Sequence, residues 1–310
     1  MWCCLVGSEM CIRDRASGIC GNNMMMKEDA RTLVSTKWLA KRLDNAEVRI
    51  LDASWYLPAL NRNPGAEYAK RHIPNARFFD IDDISDNRSD LPHMVPPVEK
   101  FMSKVRKLGV GDGHQIVIYD GLGMFSAARV WWLFKMMGHR DVAVLDGGLP
   151  KWIAEGLPVD DEPPLIRDRH MMVDQKASFV KDVTEVAAAS KLGDYEIIDA
   201  RSPGRFRGEE DEPREGLRKG HIPNSKNVFF KSLLNDNQTF KNVSELKQIF
   251  HSAGIDMSKP AITTCGSGVT AAVLNLGLEL IGKTDHSLYD GSWAEWGMSP
   301  ILPIATGDKK

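Results

Sequence analysis

"AITTCGSGVTAAVLNLGLELIG", residues 261–282, is the stretch on which the reading of the fold turns. A short apolar run ends at Cys265, small residues follow at once, and an apolar, helix-like run begins near residue 270. A strand, a tight loop and a helix set successive backbone amides around one point, above the positive end of the helix dipole. That surrounding favours a thiolate over a thiol, and the thiolate is the reactive form. Gly266 and Gly268 permit tight or left-handed backbone and close approach of a ligand, while Ser267 and Thr270 add hydroxyl donors. The competing reading is a buried cysteine acting as a small hydrophobe. The position of Cys265, after a strand and beside two glycines, favours the reactive one.

Working outward, the chain repeats itself. "RILDASWY" (49–56) is echoed by "EIIDARSP" (196–203), "RHIPNARFF" (71–79) by "GHIPNSKNVFF" (220–230), and "VLDGGLPKW" (144–152) by "LYDGSWAEW" (288–296). The offsets are 147, 149 and 144 residues, too long for a solenoid, so they mark two copies of one domain. Within each copy, short apolar runs alternate with helical patterns. "VRILDA", "QIVIYD" and "VAVLDG" read as buried strands in the first copy; "YEIIDA", "PAITTC" and "HSLYDG" do so in the second. Helices are predicted over 97–108, 125–138, 244–253 and 270–281. This alternation implies an α/β fold with a parallel sheet flanked by helices in each copy. In such sheets ligands bind beyond the carboxyl ends of the strands. The first copy has Asp120 where the second has Cys265, so one copy carries a candidate nucleophile and the other does not. The expected division is residues 24–159, a Pro- and charge-rich linker over 160–178, and residues 179–310.

Composition narrows the function. Forty Lys and Arg against forty-two Asp and Glu give a net charge of −2, and no block of like charge points to nucleic acid or a membrane surface. No apolar run reaches the ~18 residues of a spanning helix, and the chain is read as soluble and cytoplasmic. Cys3, Cys4, Cys11 and Cys20 crowd the start and Cys265 stands alone. A disulfide framework would spread cysteines through the folded part, and the paired spacings of a zinc site are missing. "VGSEMCIRDR" (6–15) resembles the translation of a transposase sequencing adapter. Residues 1–23 are accordingly expected to be a foreign leader, with the authentic start at Met24, Met25 or Met26.

"CGSGVTA" (265–271), "HIPN" in both copies, "GRFRGEEDEPREG" (204–216), "LDASWYLP" (51–58) and "YDGSWAEW" (289–296) resemble the tandem-rhodanese sulfurtransferases. The likeness runs from about Leu33 to Trp296, and is greatest to the branch that takes sulfur from 3-mercaptopyruvate. It implies two rhodanese domains, only the second catalytic, with Cys265 accepting sulfur as a persulfide and no metal or organic cofactor. Arg205 and Arg214 match arginines that hold the substrate carboxylate and carbonyl, and Ser267 matches the serine beside the nucleophile. Asp82 and His93 match first-domain residues that assist proton movement. Gly266, Gly268, Val269 and Thr270 complete the substrate-binding loop.

Each of these residues has a plainer alternative. Arg205 and Arg214 lie among five acidic residues and could form surface pairs, although two arginines nine apart in a Gly/Pro-rich loop suit binding better. Coming from a separate loop, they would suit a carboxylate lying some distance from the reacting sulfur. His93 could be a loop histidine, and "DIDD" around Asp82 reads equally as a helix N-terminus. His72 and His221 open both "HIPN" motifs and are expected to be structural. The implied partners are a small sulfur donor and an acceptor that is a thiol, such as a thioredoxin-like protein, or cyanide. Thiosulfate is the alternative donor, and a non-catalytic rhodanese module is the remaining rival. Relatives that prefer thiosulfate carry arginine and lysine just after the cysteine, where this chain has Gly266 and Ser267. A cysteine phosphatase would need an arginine closing the loop, and none is present.

Overall fold

The computed structural model describes residues 30–307; the leader expected over 1–23 lies outside the described residues. The first half runs β1 (Leu33–Val34), α1 (Thr36–Ala40), β2 (Val48–Asp52), α2 (Pro64–Lys70), β3 (Arg77–Phe78), α3 (Val98–Lys107), β4 (Gln115–Tyr119), α4 (Ala127–Met136), β5 (Val142–Leu145) and α5 (Gly148–Ala154). The second half repeats that order. It runs β6 (Val180–Lys181), α6 (Val183–Leu192), β7 (Glu196–Asp199), α7 (Pro203–Arg207), β8 (Lys226–Asn227), α8 (Val243–Ser252), β9 (Ala261–Thr264), α9 (Ala271–Leu280), β10 (His286–Tyr289) and α10 (Ser292–Trp296).

Each half is a five-stranded parallel sheet, in the order β1-β5-β4-β2-β3 and β6-β10-β9-β7-β8. All six predicted strands and all four predicted helices are present, with ends within two residues of the expected ones. Strands β5, β7, β9 and β10 are buried along their whole length, as strands are where helices cover both faces of a sheet. Helices α6 and α8 start at capping boxes, Asp182 with Glu185 and Asn242 with Glu245, in which each side chain satisfies the other's backbone amide. The edge strands β1, β3, β6 and β8 span two residues each, too short for alternation to reveal.

The two halves dock through matched positions. Helices α4 and α9 pack together, and Lys135 of one pairs with Glu279 of the other at 2.9 Å. The amide of Val95 donates to Asp290 Oδ2 at 2.7 Å, and the amide of Phe240 donates to Asp146 Oδ1 at 2.9 Å. These pairs are counterparts of each other in the duplication, so the interface has near two-fold character.

The histidines of the two "HIPN" motifs are structural. His72 exchanges backbone hydrogen bonds with Asp160, and its ring nitrogens lie 2.8 Å from the Tyr68 carbonyl and 3.2 Å from that of Glu162. His221 exchanges backbone bonds with Ala305 and stacks on Phe206. Each motif therefore ties down the segment that follows its own half.

Candidate active site

Cys265 directly follows β9, the middle strand of the second sheet, and is buried. Its carbonyl accepts from the Trp293 amide at 3.0 Å and that of Gly266 from the Ala294 amide at 2.8 Å, so the start of α10 clamps the loop. Ser292 Oγ accepts from the Cys265 amide at 3.3 Å. Gly268 sits at φ 77°, a conformation open to glycine at little cost, and turns the chain into α9. Among the described residues, the amides of Gly266, Ser267, Gly268, Val269 and Thr270 donate to no protein acceptor. They remain available to negative charge on a sulfur.

The first half supplies an internal control. There Asp120 occupies the end of β4, and its own loop closes on it. Oδ1 accepts from the amides of Leu122 and Gly123, and Oδ2 from those of Phe125, Ser126 and Ala127, at 2.8–2.9 Å. The same strand–loop–helix geometry gathers backbone amides in both halves, and in the first half the chain's own Asp120 side chain takes them.

Beside Cys265 opens a cleft of about 210 Å³ between the halves. Trp55 and Phe125 of the first half and Phe229 and Phe230 of the second wall it, and Val269 and Thr270 lie along the loop side. Arg205 and Arg214 project into it. A Cβ built on Gly266 would stand 3.2 Å from Arg205 Nη2 and 3.7 Å from Arg214 Nη1. Arg205 belongs not to a loop but to α7, which starts directly after β7, the neighbour of β9, and so overhangs the cysteine loop.

The two cations differ. Arg205 is paired with Glu212 at 2.5 Å, and Glu212 is also held by the buried Arg201 at 2.7 Å. Arg214 makes no hydrogen bond or ion pair among the described residues. Burial holds its guanidinium below the usual arginine range, opposed chiefly by Cys265 nearby. An arriving carboxylate would supply the counter-charge that Arg214 lacks.

Across the cleft the first half contributes a chain of polar groups. His93 Nδ1 stands 3.0 Å from Ser267 Oγ, and His93 Nε2 stands 3.1 Å from Asp82 Oδ1. The His93 hydrogen bond, against the effect of burial, keeps the Asp82 carboxyl below its ordinary range. Asp82 begins no helix; residues 81–84 form a turn in which Asp80 accepts from the Asp82 and Asp83 amides. Trp55 locks the pair, with Nε1 donating to Asp82 Oδ2 at 3.1 Å and its ring set edge-on to His93 at 4.7 Å. Sequence reasoning assigned no role to Trp55, although it stands in the quoted "LDASWYLP". It also left Glu212 among five surface acids. Among the described residues, no group of His, Cys, Asp or Glu is placed to hold a metal ion, and no helix is long and apolar enough to cross a membrane.

Comparison with known proteins bears on this arrangement. A model of the family described as Rhodanese-like domain matches residues 35–155 and again 182–299. The chain is 41% identical over 274 residues to 3-mercaptopyruvate sulfurtransferase of Homo sapiens, spanning 86% of this chain and 92% of the human protein. It is also 41% identical over 273 residues to thiosulfate sulfurtransferase of Rattus norvegicus, with 86% and 92% covered. Among solved structures, SseA from Escherichia coli, a 3-mercaptopyruvate sulfotransferase of the rhodanese fold, superposes with a TM-score of 0.78. It is 39% identical, and 84% of this chain and 98% of that one are covered.

Proposed function

Because this chain belongs to the rhodanese family and carries two rhodanese-like domains, we propose that it moves sulfur from 3-mercaptopyruvate through a persulfide on Cys265 to a thiol or cyanide, releasing pyruvate. The observation that carries this reading is the Cys265 thiol at a loop whose amides donate to no protein acceptor among the described residues, with Arg214 close by and Ser267 joined to His93 and Asp82.

In the first step the Cys265 thiolate attacks the substrate sulfur. The carbon–sulfur bond breaks, its electron pair stays on carbon as the pyruvate enolate, and the sulfur remains on Cys265. Arg214, with Arg205 beside it, holds the substrate carboxylate and carbonyl; a planar guanidinium matches a carboxylate better than an ammonium would. The amides of Gly266 to Thr270 stabilise negative charge as it develops. Ser267 gives a proton to the enolate and regains one from His93, whose ring Asp82 orients through Nε2. In the second step an acceptor thiolate or cyanide takes the outer sulfur and frees Cys265, which is covalent catalysis of the ping-pong type. A thioredoxin-like protein is the natural thiol acceptor. We place the protein in the cytoplasm, where an unpaired thiol stays reduced. The domain division follows the sequence reading: 24–159, a linker over 160–178, and 179–310.

Thiosulfate is the second reading, favoured by the equal identity to the rat enzyme. The loop argues against it. Gly266 and Ser267 offer a dianion no formal charge, and one lost charge-assisted contact is worth about 1.5–3 kcal/mol, roughly ten- to a hundred-fold in rate. The deciding experiment measures both donors side by side, with intact mass after each. Expected are one added sulfur atom, absent in Cys265→Ser, and a kcat/KM at least about tenfold higher with mercaptopyruvate. Equal or better use of thiosulfate would replace this reading with the second; an unmodified, inactive protein would leave a binding module.

A further inference from the structure

We propose that Arg129, on α4 of the first half, is a positioning residue for sulfur transfer: it holds His93 and the Cys265 loop in register across the two halves. The inference rests on the functional reading above but starts from different atoms. The Arg129 side chain is 3% exposed. Its Nη2 donates to the His93 carbonyl at 2.5 Å and to Asp290 Oδ1 at 2.6 Å. The other oxygen of Asp290 takes the Val95 amide at 2.7 Å, so Arg129 and Asp290 grip the 93–95 segment from both sides. Nη1 has no hydrogen-bond partner among the described residues and lies against the cysteine loop, 2.9 Å from a Cβ built on Gly268.

The segment that Arg129 grips is one that needs holding. His93 sits at φ 61°, a left-handed conformation that a side chain with a Cβ does not adopt freely. A residue in such a conformation persists where its surroundings over-determine it. The hydrogen bond to the His93 carbonyl aims the ring at Ser267 and Asp82 together.

The duplication separates this role from ordinary domain docking. On the matched side of the interface, Asp146 takes the Phe240 amide in the same way, yet Val273 stands on α9 where α4 has Arg129. The halves dock there without an arginine. The arginine occurs only on the side where the gripped segment carries His93 to the reacting loop.

The test is a double-mutant cycle of Arg129→Lys with His93→Ala, read in kcat and KM for mercaptopyruvate and in thermal unfolding. A lysine keeps the charge, but its single nitrogen ends short of the guanidinium Nη2 and gives up the Nη1 edge that lies against the cysteine loop. Expected is a fall in kcat of about tenfold or more, with KM within about twofold. In the His93→Ala background the same change should alter kcat by less than about twofold, because Arg129 acts through His93. An unchanged kcat, a loss confined to KM, or equal losses in both backgrounds overturns the proposal. If Arg129→Lys does not fold, Arg129→Met, which keeps much of the length of the side chain and gives up the bond to the His93 carbonyl, replaces it in the cycle. If the wild-type protein turns over neither donor, the functional reading has failed, and the positioning inference is read instead from the His93 imidazole nitrogen resonance. That resonance is assigned by its loss in His93→Ala. It should move in the Arg129 variant, and an unmoved resonance overturns the inference.

Discussion

His93 and Gln238 are counterparts in the two halves, and both hold a left-handed backbone, at φ 61° and 64°. Each reaches the loop of the opposite half: His93 stands 3.0 Å from Ser267, and Gln238 packs so closely on Gly123 that a Cβ there would come within 2.5 Å. The fold thus accepts glutamine in this backbone and position. His93→Gln is therefore expected to fold with an unchanged melting temperature while kcat falls about a hundredfold, the scale of a lost proton-transfer group. A kcat within about twofold of wild type would remove His93 from the mechanism.

The arginines are expected to separate kinetically. Arg214→Ala should cost about ten- to a hundred-fold in kcat/KM for mercaptopyruvate, the worth of a charge-assisted contact. Arg205→Ala should cost less, since Arg205 already spends hydrogen bonds on Glu212. Steady-state kinetics of the two variants decide the order. A larger loss for Arg205 would reverse the assignment of the substrate carboxylate.

Asp120→Ala should destabilise the protein by about 3 kcal/mol or more, because it strips five loop amides of their acceptor. Urea denaturation measures this. A loss under about 1 kcal/mol would mean that the loop amides find water at no cost.

Burial pushes the Asp146 carboxyl up to about 6 from an ordinary 3.8, offset in part by the Phe240 amide. The unfolded chain loses this proton first as pH rises, so this group's contribution to stability declines between about pH 4 and about pH 6. Above that window the ionised, buried carboxylate costs about 3 kcal/mol at 1.36 kcal/mol per unit. Asp146→Asn keeps an oxygen for the Phe240 amide and removes the charge. It should raise stability by up to that amount near pH 7.5 and change little near pH 4. Equal effects at both pH values would locate the cost elsewhere.

The sequence made the architecture readable because its signals are local. The apolar runs that became β4, β5, β9 and β10 are buried on both faces, and the duplicated motifs fixed the equivalence of the halves. Cys265 and its loop were readable for the same reason, since strand, glycines and helix are contiguous. What could not be read are contacts between distant segments. Ser267 and His93 are 174 residues apart, and no periodicity reports that Asp82 stands behind His93 or that α7 brings Arg205 over Gly266. Glu212 looked like one surface acid among several, and only the fold places it between Arg201 and Arg205.

The self-filled loop at Asp120 also says how the two copies share the work. Asp82, His93, Trp55 and Arg129 all come from the half whose own loop is occupied by Asp120, and all are linked by contacts to the Cys265 loop of the other half. On the mechanism proposed above, the first half supplies the proton-handling side of a site whose nucleophile lies in the other, and so would be no relic of duplication. Neither copy is then free to drift alone. A chimera joining this first half to the second half of a relative should depend on whether the His93 segment and the foreign cysteine loop still meet, more than on the sequence identity of either part.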